Sequence, residues 1–175
     1  LPCPTRRFGV QQMSSKGKTK IRCIDDFNAS GINDCCHVIG RLRMGRITDL
    51  VDVVHILNKE HPNEELVIFK TDFKSAYRSV PLRPQHYLYA DVVYYDTTLQ
   101  KLVVSKQLAM PFGAVAAVYG WDRVADALTH VMTTVLLIPV IRYVDDPFGA
   151  CFALHAEELR DLIVELMAMC GFTLD

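Results

Sequence analysis

No stretch of this 175-residue chain is apolar for long: the longest strongly hydrophobic run, Val135 to Ile141, holds seven residues with Pro139 inside it, against the roughly 20 that a bilayer-spanning helix needs. A membrane span is therefore not expected. Low-complexity tracts and internal repeats are lacking, as is any sustained heptad or Gly-X-Y period, which excludes disordered, coiled-coil and collagen-like chains. Net charge is small too. Nineteen Lys and Arg against 20 Asp and Glu leave -1, so the whole-chain charge announces neither a nucleic-acid nor a membrane partner. Six cysteines, at 3, 23, 35, 36, 151 and 170, lack the spacing of a disulfide framework, and a chain that is 50% hydrophobic can bury a core without covalent staples. Reduced thiols inside a cell are the expectation. Cys35-Cys36-His37 does not make a zinc site, because adjacent residues cannot surround one tetrahedral ion and no second pair follows.

What is present is unevenly distributed. Residues 1 to 46 carry nine basic side chains against Asp25, Asp26 and Asp34, while residues 47 to 175 carry ten basic against 17 acidic. The basic segment needs an anionic partner. The chain begins with Leu, and Gly171 to Asp175 opens an extended run without completing it, so a piece of a longer protein is expected.

Patterning gives an order of elements. Leu1 to Lys20 reads as polar, turn-rich loop, and Ile21 to Ile24 as a short strand. Residues 47 to 59 place Ile47, Leu50, Val51, Val54 and Leu57 on one helical face, with Thr48 as its cap. Leu66 to Phe73 reads as a buried strand and Ala76 to Arg78 as a helical turn stopped by Pro81. Tyr87 to Tyr95 and Lys101 to Leu108 form a hairpin pattern. A helix from Ala114 to about Val135 precedes a second hairpin, Pro139 to Tyr143 against Phe148 to Leu154, with Val144-Asp145-Asp146-Pro147 at its tip. His155 to Cys170 closes as an amphipathic helix stopped by Gly171. The expected class is α+β, an antiparallel sheet backed by helices.

Three carboxylates stand out. Asp145 and Asp146 interrupt the most hydrophobic region, where an unpaired buried charge costs several kcal/mol, and Asp72 ends the apolar run Leu-Val-Ile-Phe-Lys-Thr-Asp. Acids at two strand ends can converge. Such a group repels itself unless it holds cations, and hard oxygen donors suit Mg²⁺; two ions about 4 Å apart stabilise both oxygens of an in-line phosphoryl displacement. Nucleotidyl transfer is the chemistry this predicts. An Asp-Asp pair is also a common plain turn.

The strings around these acids decide between the two. Tyr143-Val144-Asp145-Asp146, Asp72-Phe73-Lys74-Ser75-Ala76-Tyr77 running on to Pro81-Leu82, Met110-Pro111-Phe112-Gly113 before a helix, and Lys20-Ile21-Arg22 followed by Asp26-Phe27 together resemble the fingers and palm of the reverse transcriptases. The likeness covers nearly the whole chain in order and separation. It implies a right-hand polymerase fold with fingers over 1–47, palm over 48–77, a fingers/palm hairpin over 78–109 and truncated palm over 110–175, the thumb lying outside the chain.

By that resemblance, Asp72, Asp145 and Asp146 with the backbone carbonyl of Phe73 hold two Mg²⁺ ions, Mn²⁺ being the alternative. Tyr77 sits under the incoming sugar and favours deoxynucleotides. Lys20 and Arg22, alternating on one strand, share a face and grip the triphosphate. Phe112 and Gly113 contact nucleotide and template. The implied partners are an RNA or DNA template with its primer and deoxynucleoside triphosphates. Arg41, Arg43 and Arg46 could touch a template backbone, but a basic run is more often a wet surface, and they are not counted among the sites. A viral-type RNA polymerase and an inactive nucleic-acid-binding relic are the alternatives. His130 reads as an ordinary helix residue. Pro147 removes a ladder donor, which leaves the hairpin's geometry open.

Overall fold

The computed structural model describes residues 4–13, 17 and 19–174. Cys3 and the last residue of the Gly171–Asp175 run lie outside them. The chain divides into two compact units, one made of the residues up to Gly40 with Tyr77–Trp121, the other of Arg41–Ala76 with Asp122–Asp175.

The first unit carries a four-stranded sheet of β1 (Thr5–Met13), β2 (Thr19–Asp25), β4 (Asp91–Asp96) and β5 (Lys101–Lys106), in the order β2-β1-β4-β5. β1 and β2 pair antiparallel from Arg7 opposite Asp25 to Met13 opposite Thr19. β1 and β4 run parallel at Thr5–Val92 and Arg6–Val93, so this sheet is mixed and not the purely antiparallel one expected. The strand β1 also corrects the loop reading of residues 1–20. After Thr5 it buries no residue fully, so it lacks the apolar alternation that marks a half-buried strand, and backbone pairing alone makes it. Tyr87 to Ala90 is likewise not strand: Pro84, preset for a first helical position, starts a 3₁₀ turn over Pro84–Tyr89,. The core gathers Thr5, Phe27, Val92, Met110 and Trp121, the chain's one tryptophan and fully buried. Its burial supplies on the order of 5 kcal/mol of gross apolar stabilisation.

The second unit carries a three-stranded antiparallel sheet, β3 (Leu66–Lys70), β7 (Asp146–Phe152) and β6 (Val140–Tyr143), with β7 in the middle. The helix α1 (Ile47–Glu60) packs on β7, and His61 meets Phe152 edge-on at 5.1 Å. Its buried stripe is narrower than predicted: Leu50 is buried and Val54 and Leu57 half-buried, whereas Ile47 and Val51 are 69% and 47% exposed. Thr48 is not its cap. The helix opens at Arg46, whose backbone N–H donates to the Asp49 carboxylate at 2.8 Å. The helix α3 (Ala156–Met169) turns Ile163 and Met167 inward, and α2 (Val115–Thr134) buries Ala117, Trp121, Ala125, Leu128 and Met132 along one face at helical spacing,. The molecule is thus α+β, with one mixed and one antiparallel sheet and helices behind them. Among the described residues no helix is long and apolar enough to cross a membrane.

Candidate active site

The second unit's sheet brings the acids to one end. Lys70 is paired with Phe148, and one step on the Thr71 N–H donates to the Pro147 carbonyl at 2.9 Å. Asp72 follows, exposed, as β3 ends. Tyr143 pairs with Asp146, so the hairpin loop is two residues, Val144 and Asp145, and Asp146 belongs to the returning strand instead of the tip. Asp145 and Asp146 are half-buried there.

Pro147 fits this hairpin for a geometric reason. With a two-residue loop, Tyr143–Asp146 is the hydrogen-bonded pair and Arg142–Pro147 the next, non-hydrogen-bonded one,, so a proline has no donor to lose on the β6 side. Val144 turns with φ +54°, a left-handed conformation that a β-branched residue seldom adopts.

Sequence reasoning missed two cations beside these acids. Lys70 Nζ lies 3.1 Å from Asp146 Oδ1, a largely exposed pair that offsets part of the carboxylates' mutual repulsion and contributes well under about 1 kcal/mol. Arg142, 4% exposed, donates through Nη1 to the Val144 carbonyl at 2.7 Å and through Nη2 to Asp122 at 2.7 Å and Asp126 at 2.5 Å. Its signal was the one that exposed Asp145, a charge inside the apolar run Pro-Val-Ile-Arg-Tyr; the two helical acids four residues apart completed it.

Hard carboxylate oxygens are the donor chemistry a divalent ion such as Mg²⁺ takes, and three of them share this sheet end. As the side chains stand, no three His, Cys, Asp or Glu among the described residues are grouped closely enough to hold an ion, and Asp146 faces Lys70. Phe73 is buried, its ring edge-on to Phe172 at 5.8 Å, and it forms an isolated bridge with Leu174 beside the Lys74 N–H to Thr173 carbonyl bond at 2.9 Å.

The other predicted residues belong to the first unit. Tyr77 and Phe112, from two separate motifs, meet edge-on at 5.7 Å, and Tyr77 also lies tilted against Trp121 at 6.1 Å. Phe112 remains 51% exposed. Gly113 has φ +100°, and a Cβ there would stand 2.7 Å from the Asp25 backbone oxygen; its own fold accounts for the glycine before any ligand does. Lys20 and Arg22 are exposed on β2, opposite Gln12 and Val10.

Asp25, buried, accepts from Arg7 Nε at 2.6 Å, Arg7 Nη2 at 2.9 Å and Gln107 Nε2 at 3.2 Å. That bidentate bond raises the Arg7 guanidinium above its ordinary range,. Cys36 Sγ donates to the Ile32 carbonyl at 3.3 Å, and Cys35 is exposed and free. His130 is exposed on α2, and Arg41, Arg43 and Arg46 are exposed, Arg46 pairing with Asp49 at 3.1 Å.

No protein-family model matches the chain, and comparison with curated proteins finds no match.

Proposed function

We propose that this chain is the fingers and palm portion of an RNA-directed DNA polymerase, adding deoxynucleotides to a primer 3′-hydroxyl on a nucleic-acid template. The single observation that carries the reading is the sheet register. Thr71 bonded to Pro147, with a two-residue turn at Val144-Asp145, brings Asp72 to the same end of the sheet as Asp145 and Asp146, more than 70 residues further along the chain. The motif strings at Asp72–Tyr77, Met110–Gly113 and Tyr143–Asp146 support it independently.

In this reading Asp72, Asp145 and Asp146, with the Phe73 carbonyl, hold divalent ions, Mg²⁺ or Mn²⁺. When bound, these ions supply positive charge for the attacking and leaving oxygens of phosphoryl transfer. Everything else is the work of side chains. Lys20 as a point charge and Arg22 as a fork bind triphosphate oxygens. The Tyr77 ring, braced by Phe112 and Trp121, excludes a ribose 2′-hydroxyl by occupying its space, and the exposed face of Phe112 offers a base an apolar surface.

Primer extension by the full chain on RNA and DNA templates with Mg²⁺ and deoxynucleotides tests the proposal. Product is expected, and Asp145→Asn should abolish it; extension by that variant at the native rate overturns the assignment. Tyr77→Ala should admit ribonucleotides at least tenfold better relative to deoxynucleotides. Unchanged sugar choice removes Tyr77 from the gate.

A further inference from the structure

Arg142 is the most deeply buried charge next to the candidate carboxylates, and its bonds are distributed in an instructive way. One terminal nitrogen serves the Val144 carbonyl, the middle of the two-residue turn; the other serves Asp122 and Asp126 on α2 and, at 3.4 Å, the Arg43 carbonyl. The Arg142 carbonyl in turn accepts from the Gly45 N–H at 2.7 Å. Nε, buried, has no hydrogen-bond partner among the described residues. A single rigid fork therefore links a strained loop to a helix.

We propose that Arg142 is the positioning residue of the Val144–Asp145 turn. The ion pairs to Asp122 and Asp126 fix the guanidinium, and the fixed guanidinium holds the Val144 carbonyl and so keeps Val144 in its unfavourable φ. Without that clamp a β-branched residue at φ +54° relaxes,, and Asp145, the next residue, moves with it. The charge balance agrees. One buried cation shared by two carboxylates is stabilised by both, and the planar guanidinium holds two donor nitrogens apart in a fixed fork, one on the Val144 carbonyl and the other on the two carboxylates,. Lysine has three donors but gathers them on one nitrogen, which cannot stand at both places. For catalysis the inference rests on the polymerase reading; for the shape of the turn it does not.

The test separates the two. Backbone hydrogen exchange, read by mass spectrometry on the full chain, is compared for native protein, Arg142→Lys and Asp126→Asn. Exchange in a peptide spanning Tyr143–Pro147 should rise at least tenfold in Arg142→Lys and about threefold in Asp126→Asn, while Leu66–Lys70 keeps its native rate. A purely structural role would raise exchange across the whole sheet together, and that result, or native exchange at the turn, overturns the proposal. Asp126 is half-exposed, so its variant keeps the test decisive if Arg142→Lys does not fold.

In primer extension, Arg142→Lys should raise the half-saturating Mg²⁺ concentration at least threefold and lower the turnover rate about tenfold, with the KM for deoxynucleotide changed less than twofold. A native Mg²⁺ requirement and rate beside a loosened turn would overturn the catalytic half. If native protein makes no product that depends on Asp145, the polymerase reading has failed, and the exchange result still decides the clamp.

Discussion

Gly149→Ala should destabilise the chain by far more than a glycine-to-alanine change ordinarily does. Gly149 sits on β7, between Phe69 of β3 and Val140 of β6. A Cβ there would stand 2.4 Å from the Pro139 carbonyl oxygen and 2.7 and 2.9 Å from two atoms of the Phe69 ring. The ring can swing away. The carbonyl cannot, because it is backbone at the entry to β6, and it stands a full ångström inside the 3.4 Å at which ordinary contact begins. Forcing the middle strand outward by that much costs about 2–3 kcal/mol, which for a chain of this length lowers the melting temperature by about 5–10 °C.

Gly31→Ala provides the comparison. Its φ is +73° with nothing within 4 Å of the added atom, so only left-handed strain remains, about 1 kcal/mol, or about 2–4 °C. Thermal unfolding followed by far-ultraviolet circular dichroism ranks the two. Equal shifts, or a Gly149→Ala protein melting within about 2 °C of the native one, would refute the reasoning that backbone contact sets the cost.

Asp25→Ala should cost about 3 kcal/mol in urea unfolding, because it strands the Arg7 guanidinium and the Gln107 amide at once,; a loss below about 1 kcal/mol would mean that solvent replaces the carboxylate. Burial raises the Cys151 thiol above its ordinary range, which leaves less thiolate at neutral pH, so brief iodoacetamide treatment should label the exposed Cys23, Cys35 and Cys170 first. Labelling of Cys151 as fast as Cys35 would count against it. The Asp49 carboxyl is held below the usual carboxylate range, first by the Arg46 backbone N–H and then by its side chain. A lowered folded value stabilises above about pH 4 and loses that contribution as pH falls through it. The gap in melting temperature between native protein and Asp49→Asn should therefore be open at pH 6 and close in acid, and a gap constant with pH would refute the attribution.

The parts legible in the sequence were those with an apolar period or a strong stop. The hairpin Asp91–Asp96 with Lys101–Lys106, the helix Val115–Thr134 and the closing helix ahead of Gly171 follow the pattern within a few residues. β1 was illegible because it is almost wholly exposed, and pairing with β2 leaves no trace in hydropathy. Tyr87 to Ala90 has strand-forming residues but follows a proline that favours a helical turn, and the nearer signal won. Ile47 and Val51 were assigned to a buried face because periodicity gives the stripe of a helix and not how wide its neighbour is. At the candidate site, the acids at strand ends could be read directly, since charge after an apolar run is conspicuous. Lys70 could not, because its role depends on which acid lies across the sheet, and for Arg142 the charge inside an apolar run pointed to burial but not to its partners on a distant helix. For Gly113 the sequence showed the residue but not the packing reason for it, since the Asp25 backbone oxygen that a Cβ would meet lies 88 residues earlier in the chain.

The edge position of β2 has a consequence of its own. That strand ends the first sheet among the described residues, and Ile21 on it and Val10, Phe8 and Met13 on its neighbour β1 lie open to solvent; an unpaired strand edge is a template for main-chain pairing with another chain. Lys20 and Arg22 are exposed on this strand, and like charges on an edge strand oppose pairing between copies. Concentrated salt, which shortens the reach of charge to about 3 Å at 1 M, or any polyanion that neutralises both, takes that guard away. Neutralising the charges at 20 and 22 therefore lowers the electrostatic barrier to edge-to-edge pairing, and the solubility of the native protein should fall as salt rises.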